Sequence, residues 1–557
     1  MHGWCPPGCA SFGPHPGGGG RGDETVKEVI NPQLQAWARD YVWRVGSKVG
    51  PLSSSRQRKL LVVHLDGVPT ALLDEAVRTG RMPFLSKLVT SGTYALDGAF
   101  WGSPASTPYF QAGFLYGLRH PNLPAYSWFD RELGRKVQMN TPTDTLAVES
   151  RLGCRPGTSL LSGGGHTYFS LFQAEANNRL CMSSLARYKV MARSLKYEME
   201  GIVAARSQTP LSYLRSFGRD AWNSFTEIYR WGRSLRDWRH ESGFLVSRVF
   251  LQRLGWSFAH TKALVDMVRG VPAVYLVYGN YDEVAHRRGP RSGLALAELQ
   301  RVDAYLAELY AVAQTVEPGY DLVFLTDHGH VDSHPIEQRG GQRLEDILLR
   351  GAPLPLPEDI ARALLDGRPH PLDEPHAPQE PVVIESGNFS HVYLTRELEP
   401  LEAAQLVARH PEVLARAMGH PDIAIVAMRR GDSAVAIIGG GVYGPDEIDS
   451  APLDGEFSRR AVADFLRELP HMPTAGDLVL YGQAVSKGGT VGFAWEFGSH
   501  GGLTRTETNS VICWPRNLPV DLSGLSHVTQ LHDRLSEVYR DRPRRVVLPE
   551  ERWAEGT

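Results

Sequence analysis

Three apolar runs, each closing on an acidic residue, constrain this chain more than any other feature. KLLVVHLDG (59–67), AVYLVYGNYD (273–282) and LVFLTDHGH (322–330) are long enough to fill strands, yet their first halves show no polar alternation. That is the pattern of strands buried on both faces. Between the second and third runs, LALAELQRVDAYLAELYAVAQTV (294–316) has the period of an amphipathic helix. Strand, helix, strand is the order of a parallel crossover unit, so an α/β chain is expected. Asp66, Asp282 and Asp327 then fall at or just past strand carboxyl ends, where open α/β sheets place their chemistry.

Other residues can join them. Asp327 and His328 set a carboxylate and an imidazole at one strand tip, and Gly329 lets the backbone turn behind them. Asp282 and His286, four residues apart, can meet at one ion where a strand turns into a helix. In WGSPASTPYFQAGFLYG (101–117), Ser106 or Thr107 serves as N-cap and Pro108 as a first-turn residue of a helix running towards Gly117. This is either a capped helix and nothing more, or a hydroxyl beside free N–H groups and a positive dipole end. The second suits a phosphate and a developing oxyanion. His500, in the loop GSHGG, is either a surface residue in a glycine turn or an imidazole delivered to a site built elsewhere. Asp66, a Ser/Thr hydroxyl, Asp282, His286, Asp327, His328 and His500 suffice for two divalent cations with mixed oxygen and nitrogen ligands. Zinc is the first expectation and manganese the second. Two ions roughly 3.5–4 Å apart suit an in-line displacement at phosphorus.

The rest of the sequence bounds the setting. A length of 557 residues allows two to four modules by the usual domain size. The formal net charge of -3 gives no argument for a nucleic acid polymer or an anionic membrane. A small anionic phosphate ester is the expected partner, with a homodimer left open. No apolar stretch is long enough to span a bilayer, and MHGWCPPGCASFGPHPGGGGRGDE lacks the basic start and apolar segment of a secretion signal. A cytoplasmic location is therefore expected. The scattered Cys5, Cys9, Cys154, Cys181 and Cys513 suit a reducing compartment.

Patterning along the chain divides it into a tail and helical lead-in (1–57), the first part of an α/β core (58–140), expected to carry the site, a helical insertion (141–270) and a second part of the core (271–345). A smaller subdomain (346–475) and the last part of the core with a tail (476–557) follow. From Cys181 to Gly270 the insertion holds fifteen Lys/Arg against seven Asp/Glu, with many aromatics. It is either a cap whose arginines attract anions or a solvated helical insertion with its own small core.

LDG at Asp66, STP at Thr107, YDEVAH at Asp282 and His286, TDHG at Asp327 and His328, and GSHGG at His500 follow one another in an order that resembles the alkaline phosphatase superfamily. The closest branch is the type I phosphodiesterase/nucleotide pyrophosphatases. The resemblance runs from about Leu60 to Pro515, the helical insertion apart. It implies a three-layer αβα sandwich with a mostly parallel central sheet, plus a helical insertion and a small subdomain. It also implies that Asp282, His286 and His500 hold one ion, and that Asp66, Asp327, His328 and the nucleophile oxygen hold the other.

Two positions depart from the family. The nucleophile usually stands two residues before a proline and ten before the glycine that ends its helix. Here the first spacing points to Ser106 and the second to Thr107. Thr107 is preferred, because distance along a helix is rigid whereas proline is tolerated at more than one first-turn position. In YSWFD, Tyr126 stands where the nucleotide pyrophosphatases carry asparagine, and it is taken as a substrate-binding donor through its hydroxyl. His330 has no place in the family pattern and is left as a candidate substrate contact.

The expected activity is that of a metal-dependent phosphodiesterase working through a covalent phosphothreonine at a two-metal site. The rivals are a phosphomonoesterase on the same scaffold, a phosphoryl-headgroup transferase and a non-catalytic, metal-stabilised binding protein. A retained hydroxyl beside a full ligand set argues against the last. No C-x-P-x-R or S-x-P-x-R stretch stands at the nucleophile position, which counts against a sulfatase.

Overall fold

Successive side chains of a strand point to opposite faces, and the first apolar run is apolar on both. In the computed structural model Leu61, Val63 and Leu65 enter one hydrophobic core, while Leu60 and Val62 enter another. The strand that carries them, β1 (Lys59–Leu65), lies between two helical layers. Residues 29–49, 58–178, 180–187, 218, 222, 243–244, 255–366, 380–485 and 488–539 are described. The Cys5 and Cys9 tail and most of the arginine-rich insertion lie outside them.

With β1 the central sheet contains β2 (Tyr94–Phe100), β3 (His166–Tyr168), β4 (Ala273–Tyr278), β5 (Tyr320–Leu325) and β6 (Asn509–Pro515). Their order is β2-β6-β5-β1-β4-β3. β3, β4, β1 and β5 run parallel, and β6 is antiparallel to both β5 and β2. One face is covered by α1 (Pro32–Gly46), and the opposite face by α2 (Thr107–Tyr116). On the α1 side also pack α3 (Trp256–Arg269), α4 (Asn280–Arg288) and α5 (Gly293–Ala313). α6 (Val528–Tyr539) packs beside α2. The expected three-layer αβα sandwich with a mostly parallel sheet is what forms. Among the described residues no helix is long and apolar enough to cross a membrane.

A second sheet is wholly antiparallel, in the order Gly441–Tyr443, Ser433–Ile438, Ile423–Arg430, Leu478–Gly482, Phe389–Tyr393, Val382–Ser386. Sequence reading puts residues from 476 onwards in the core. Leu478–Gly482 instead pairs between two strands of the second sheet, so the subdomain reaches past 475. An apolar strand looks the same in either sheet, and only pairing tells them apart.

His391 ties this sheet to the core. Its Nδ1 accepts from the Gly476 N–H at 3.2 Å, and its Nε2 faces the Pro124 carbonyl at 3.3 Å. Burial holds this imidazole down to about 3 from its ordinary 6.5. Because the folded value is the lower one, the unfolded chain binds the extra proton between the two. Stability therefore falls as pH drops below about 6.5 and the loss is complete near pH 3, at about 5 kcal/mol. Urea unfolding between pH 7 and 4 is expected to show this slope, flattened in His391→Gln. Equal slopes in the two proteins would remove His391 as its source.

Candidate metal centre and nucleophile

β5, β1 and β4 are neighbours, so Asp327, Asp66 and Asp282 meet at adjacent strand tips. The Asp66 N–H donates to the Tyr278 carbonyl at 3.1 Å, extending the β1–β4 ladder by one residue. One turn into α4, Asp282 and His286 lie on the same face, with His286 Nε2 3.6 Å from Asp282 Oδ2.

Two groups of ligand atoms converge there. In the first, Asp282, His286, His330 and His500 offer atoms all within 4.8 Å of one another. Asp282 Oδ1 lies 3.5 Å from His330 Nε2 and 3.6 Å from His500 Nε2. In the second, two overlapping sets share Asp66, one with His64 and Asp327 and one with Asp282 and His328, and His328 Nε2 is 3.2 Å from Asp327 Oδ2 and 3.6 Å from Asp66 Oδ1. Thr107 Oγ1 stands 3.2 Å from His328 Nε2 and 3.4 Å from Asp66 Oδ1. Ligand atoms around a tetrahedral cation with bonds near 2.0 Å lie roughly 3.3 Å apart. The pair separations of 3.2–3.6 Å fit that spacing. Asp282 Oδ1, Asp327 Oδ2 and His330 Nε2 are buried without a hydrogen-bond partner, as atoms aimed at a cation would be.

The imidazoles are oriented for ligation. Nδ1 of His328 faces the Gly329 carbonyl at 3.3 Å, that of His330 the Gly67 carbonyl at 3.0 Å, and that of His500 the Ala105 carbonyl at 3.4 Å. His286 Nδ1 sits 3.1 Å from both Glu496 Oε2 and the Gly498 carbonyl. These oxygens can only accept, so each Nδ1 carries a proton, and Nε2 of each neutral ring presents a lone pair inward; His286 does so once it gives up its second proton. This outer ring of acceptors is the usual support of metal-bound histidine.

Electrostatics lead to the same need for cations. Burial, with Asp327 and Asp282 nearby, pushes the Asp66 carboxyl well up. Burial also lifts Asp282 to about 7, although His286 opposes it. Asp327 is raised by burial but lowered more by His328 and His64, so its net shift is downward. Burial lowers His286, but Glu496 and Asp282 outweigh it and raise this imidazole to about 10. Three carboxyl groups this close and this buried ionise together only beside compensating positive charge, which divalent cations would supply.

Thr107 is the first residue of α2, and Ser106 is its N-cap with extended backbone. The glycine spacing thus selects the hydroxyl that faces His328 and Asp66. The Ser106 hydroxyl is buried with no partner. Tyr126 is half-buried beside the site. Burial first, then Asp282 and Asp66, raises its phenol and keeps it a donor.

His330 needs correction. Left as a substrate contact from sequence, it is buried inside the first ligand group, because Gly67 brings a free carbonyl to its Nδ1. Two further residues escaped the sequence reading. His64, on β1 and two residues before Asp66, lies 3.0 Å from Asp327 Oδ1 through Nε2 and 2.7 Å from the Tyr275 hydroxyl through Nδ1. Its period-two relation to Asp66 was a usable signal. Glu496, behind His286, had none.

A model of the type I phosphodiesterase / nucleotide pyrophosphatase family matches residues 60–393. That span takes in more than half of the chain and every site residue named above before Phe389. The class is thereby defined as a phosphoric ester hydrolase. The chain belongs to the type I phosphodiesterase / nucleotide pyrophosphatase family. No curated protein matches the chain. Among solved structures it is similar to phosphonoacetate hydrolase from Sinorhizobium meliloti 1021 in complex with phosphonoformate, at 16% identity and TM-score 0.42, over 87% of this chain and 96% of that one. It is also similar to an inactive murine ectonucleotide pyrophosphatase / phosphodiesterase 5 in complex with AMP, at 12% identity and TM-score 0.40, over 87% and 95%. The human form gives 10% identity and TM-score 0.41, over 87% and 96%.

Proposed function

We propose that the protein is a phosphodiesterase that uses Thr107 as nucleophile and passes through a phosphothreonine. The observation that carries this reading is the position of Thr107 Oγ1 at a helix start, 3.2 Å from His328 Nε2 and 3.4 Å from Asp66 Oδ1. Two divalent cations, zinc first and manganese second, would be held by Asp282, His286 and His500 and by Asp66, Asp327 and His328. When bound they would make the hydroxyl acidic and neutralise charge on the leaving oxygen.

The chain's own residues then account for the remaining steps. The Thr107 proton, which points at Asp66 Oδ1, passes to solvent, where it neutralises the hydroxide left when the leaving oxygen is protonated, and the alkoxide attacks phosphorus. The bond from phosphorus to the leaving oxygen breaks in line. The released alcohol takes a proton from water, and a second water hydrolyses the phosphothreonine to regenerate Thr107. Free N–H groups at the start of α2 and the Tyr126 hydroxyl would hold non-bridging oxygens. Free thiols at Cys154, Cys181 and Cys513 suit a reducing compartment.

Turnover of aryl phosphodiesters, phosphomonoesters, phosphonates and sulfates by metal-stripped protein, with zinc and manganese added back separately, tests this. The diester is expected to be preferred by more than about 10-fold, or 1.4 kcal/mol in transition-state binding. A preference for the monoester by several decades would replace the reading with a phosphomonoesterase.

A further inference from the structure

We infer that His330 is a fourth protein ligand of the cation held by Asp282, His286 and His500. The inference rests on the two-cation reading above.

The geometry of His330 matches that of the other three histidines. Its Nδ1–H is used on the Gly67 carbonyl at 3.0 Å, and its Nε2 is buried, unpartnered and 3.5 Å from Asp282 Oδ1. A ring with its one proton so used has a lone pair at Nε2, which suits a cation and cannot donate to a phosphate oxygen. Gly67 is shaped for this approach. With φ at +72°, a Cβ there would lie 2.8 Å from His330 Nδ1 and Cε1 and 2.7 Å from Asp282 Oδ1. Only glycine lets both side chains close on one point while its own carbonyl orients the imidazole. His330 is fully buried, whereas Asp282, His286 and His500 retain 10 to 21% exposure. It therefore approaches from the floor of the site, opposite the side open to substrate.

Four protein donors, three nitrogens and one oxygen, none of them the reacting group, hold this cation more firmly than Asp66, Asp327 and His328 hold the other, whose fourth donor is the Thr107 hydroxyl that turns over; the first cation meets a leaving oxygen by expanding to five-coordination. The two cations should differ in retention. The test loads the full-length protein with zinc and follows its release to a chromogenic chelator. Wild type is expected to lose one equivalent fast and one slowly. Asp327→Asn should remove the fast class, and His330→Gln should speed the slow class by at least about 10-fold, the minimum seen when even an outer partner of a metal ligand is lost. His330→Gln keeps an N–H for the Gly67 carbonyl, and His330→Leu is a second variant that fills the volume. Cobalt in the slow class should show the strong visible absorption of four-coordination, lost in either variant.

Unchanged slow release in both variants overturns the inference. So does faster release with unaltered cobalt absorption, which would make His330 a positioning residue only. A wild type that retains no cation defeats the two-cation reading itself. Two cations bound, with His330 variants like wild type, defeats only the ligand role of His330.

Discussion

Replacing Thr107 with alanine is expected to lower turnover of an aryl phosphodiester by about 10⁴-fold or more, the scale on which loss of a catalytic nucleophile acts. Both cations should remain bound, because Asp66, Asp327 and His328 persist without the hydroxyl. Thr107→Ser keeps the oxygen at the helix start and should retain measurable turnover, and rapid quench of that variant or of wild type should trap one phosphoryl group on residue 107. Ser106→Ala is the discriminating control. The Ser106 oxygen is buried with no partner, whereas Thr107 Oγ1 lies within 3.4 Å of both Asp66 and His328. Its removal should leave turnover within about 10-fold of wild type, since no transition-state contact is lost. Full activity in Thr107→Ala, with Ser106→Ala inactive, would move the nucleophile one residue upstream and break the agreement between helix spacing and site geometry.

The proposed nucleophile and the proposed ligand set differ in how far sequence could reach them. Asp66 and Asp327 were legible because a buried parallel strand announces itself as an unbroken apolar run and its carboxyl end is where chemistry gathers. Asp282 and His286 were legible through a helical spacing. That the three strand tips are adjacent was not, since nothing in one sequence orders β5, β1 and β4 side by side. His500 needed the resemblance to lift it above a turn residue. Sequence leaves His330 as a candidate substrate contact because what its Nδ1 faces, the Gly67 carbonyl, lies 263 residues away. Glu496 and its contact with His286 lie across a comparable distance of 210 residues. Local pattern places a side chain at a strand end, but pairing over such distances decides what it faces there.

Gly329 shows the same limit and yields the second large effect. Its sequence setting suggests a residue that allows a sharp turn, yet it is absent from the positive-φ glycines. Its requirement is space: a Cβ there would lie 2.1 Å from the Thr506 carbonyl oxygen and 3.0 Å from Pro69 Cα. Neither neighbour can move away readily. The segment around Thr506 is pinned by Glu507, whose buried carboxylate accepts from the Gly502 N–H at 2.9 Å, Thr504 Oγ1 at 2.6 Å and Asn388 Nδ2 at 3.1 Å. The Gly329 N–H itself donates to the Glu507 carbonyl at 2.9 Å. A methyl group must therefore displace the strand tip, and Asp327 and His328 move with it. Overpacking usually costs about 1–3 kcal/mol, and a clash against fixed backbone belongs at the upper end. Gly329→Ala is expected to lose about 3 kcal/mol in urea unfolding and to weaken the cation site at Thr107 in the same preparation. A variant with wild-type unfolding and metal retention would mean that the 504–508 segment yields. The strand tip would then owe its position to β5 and β6 pairing, and the close approach at Gly329 would carry no part of the site.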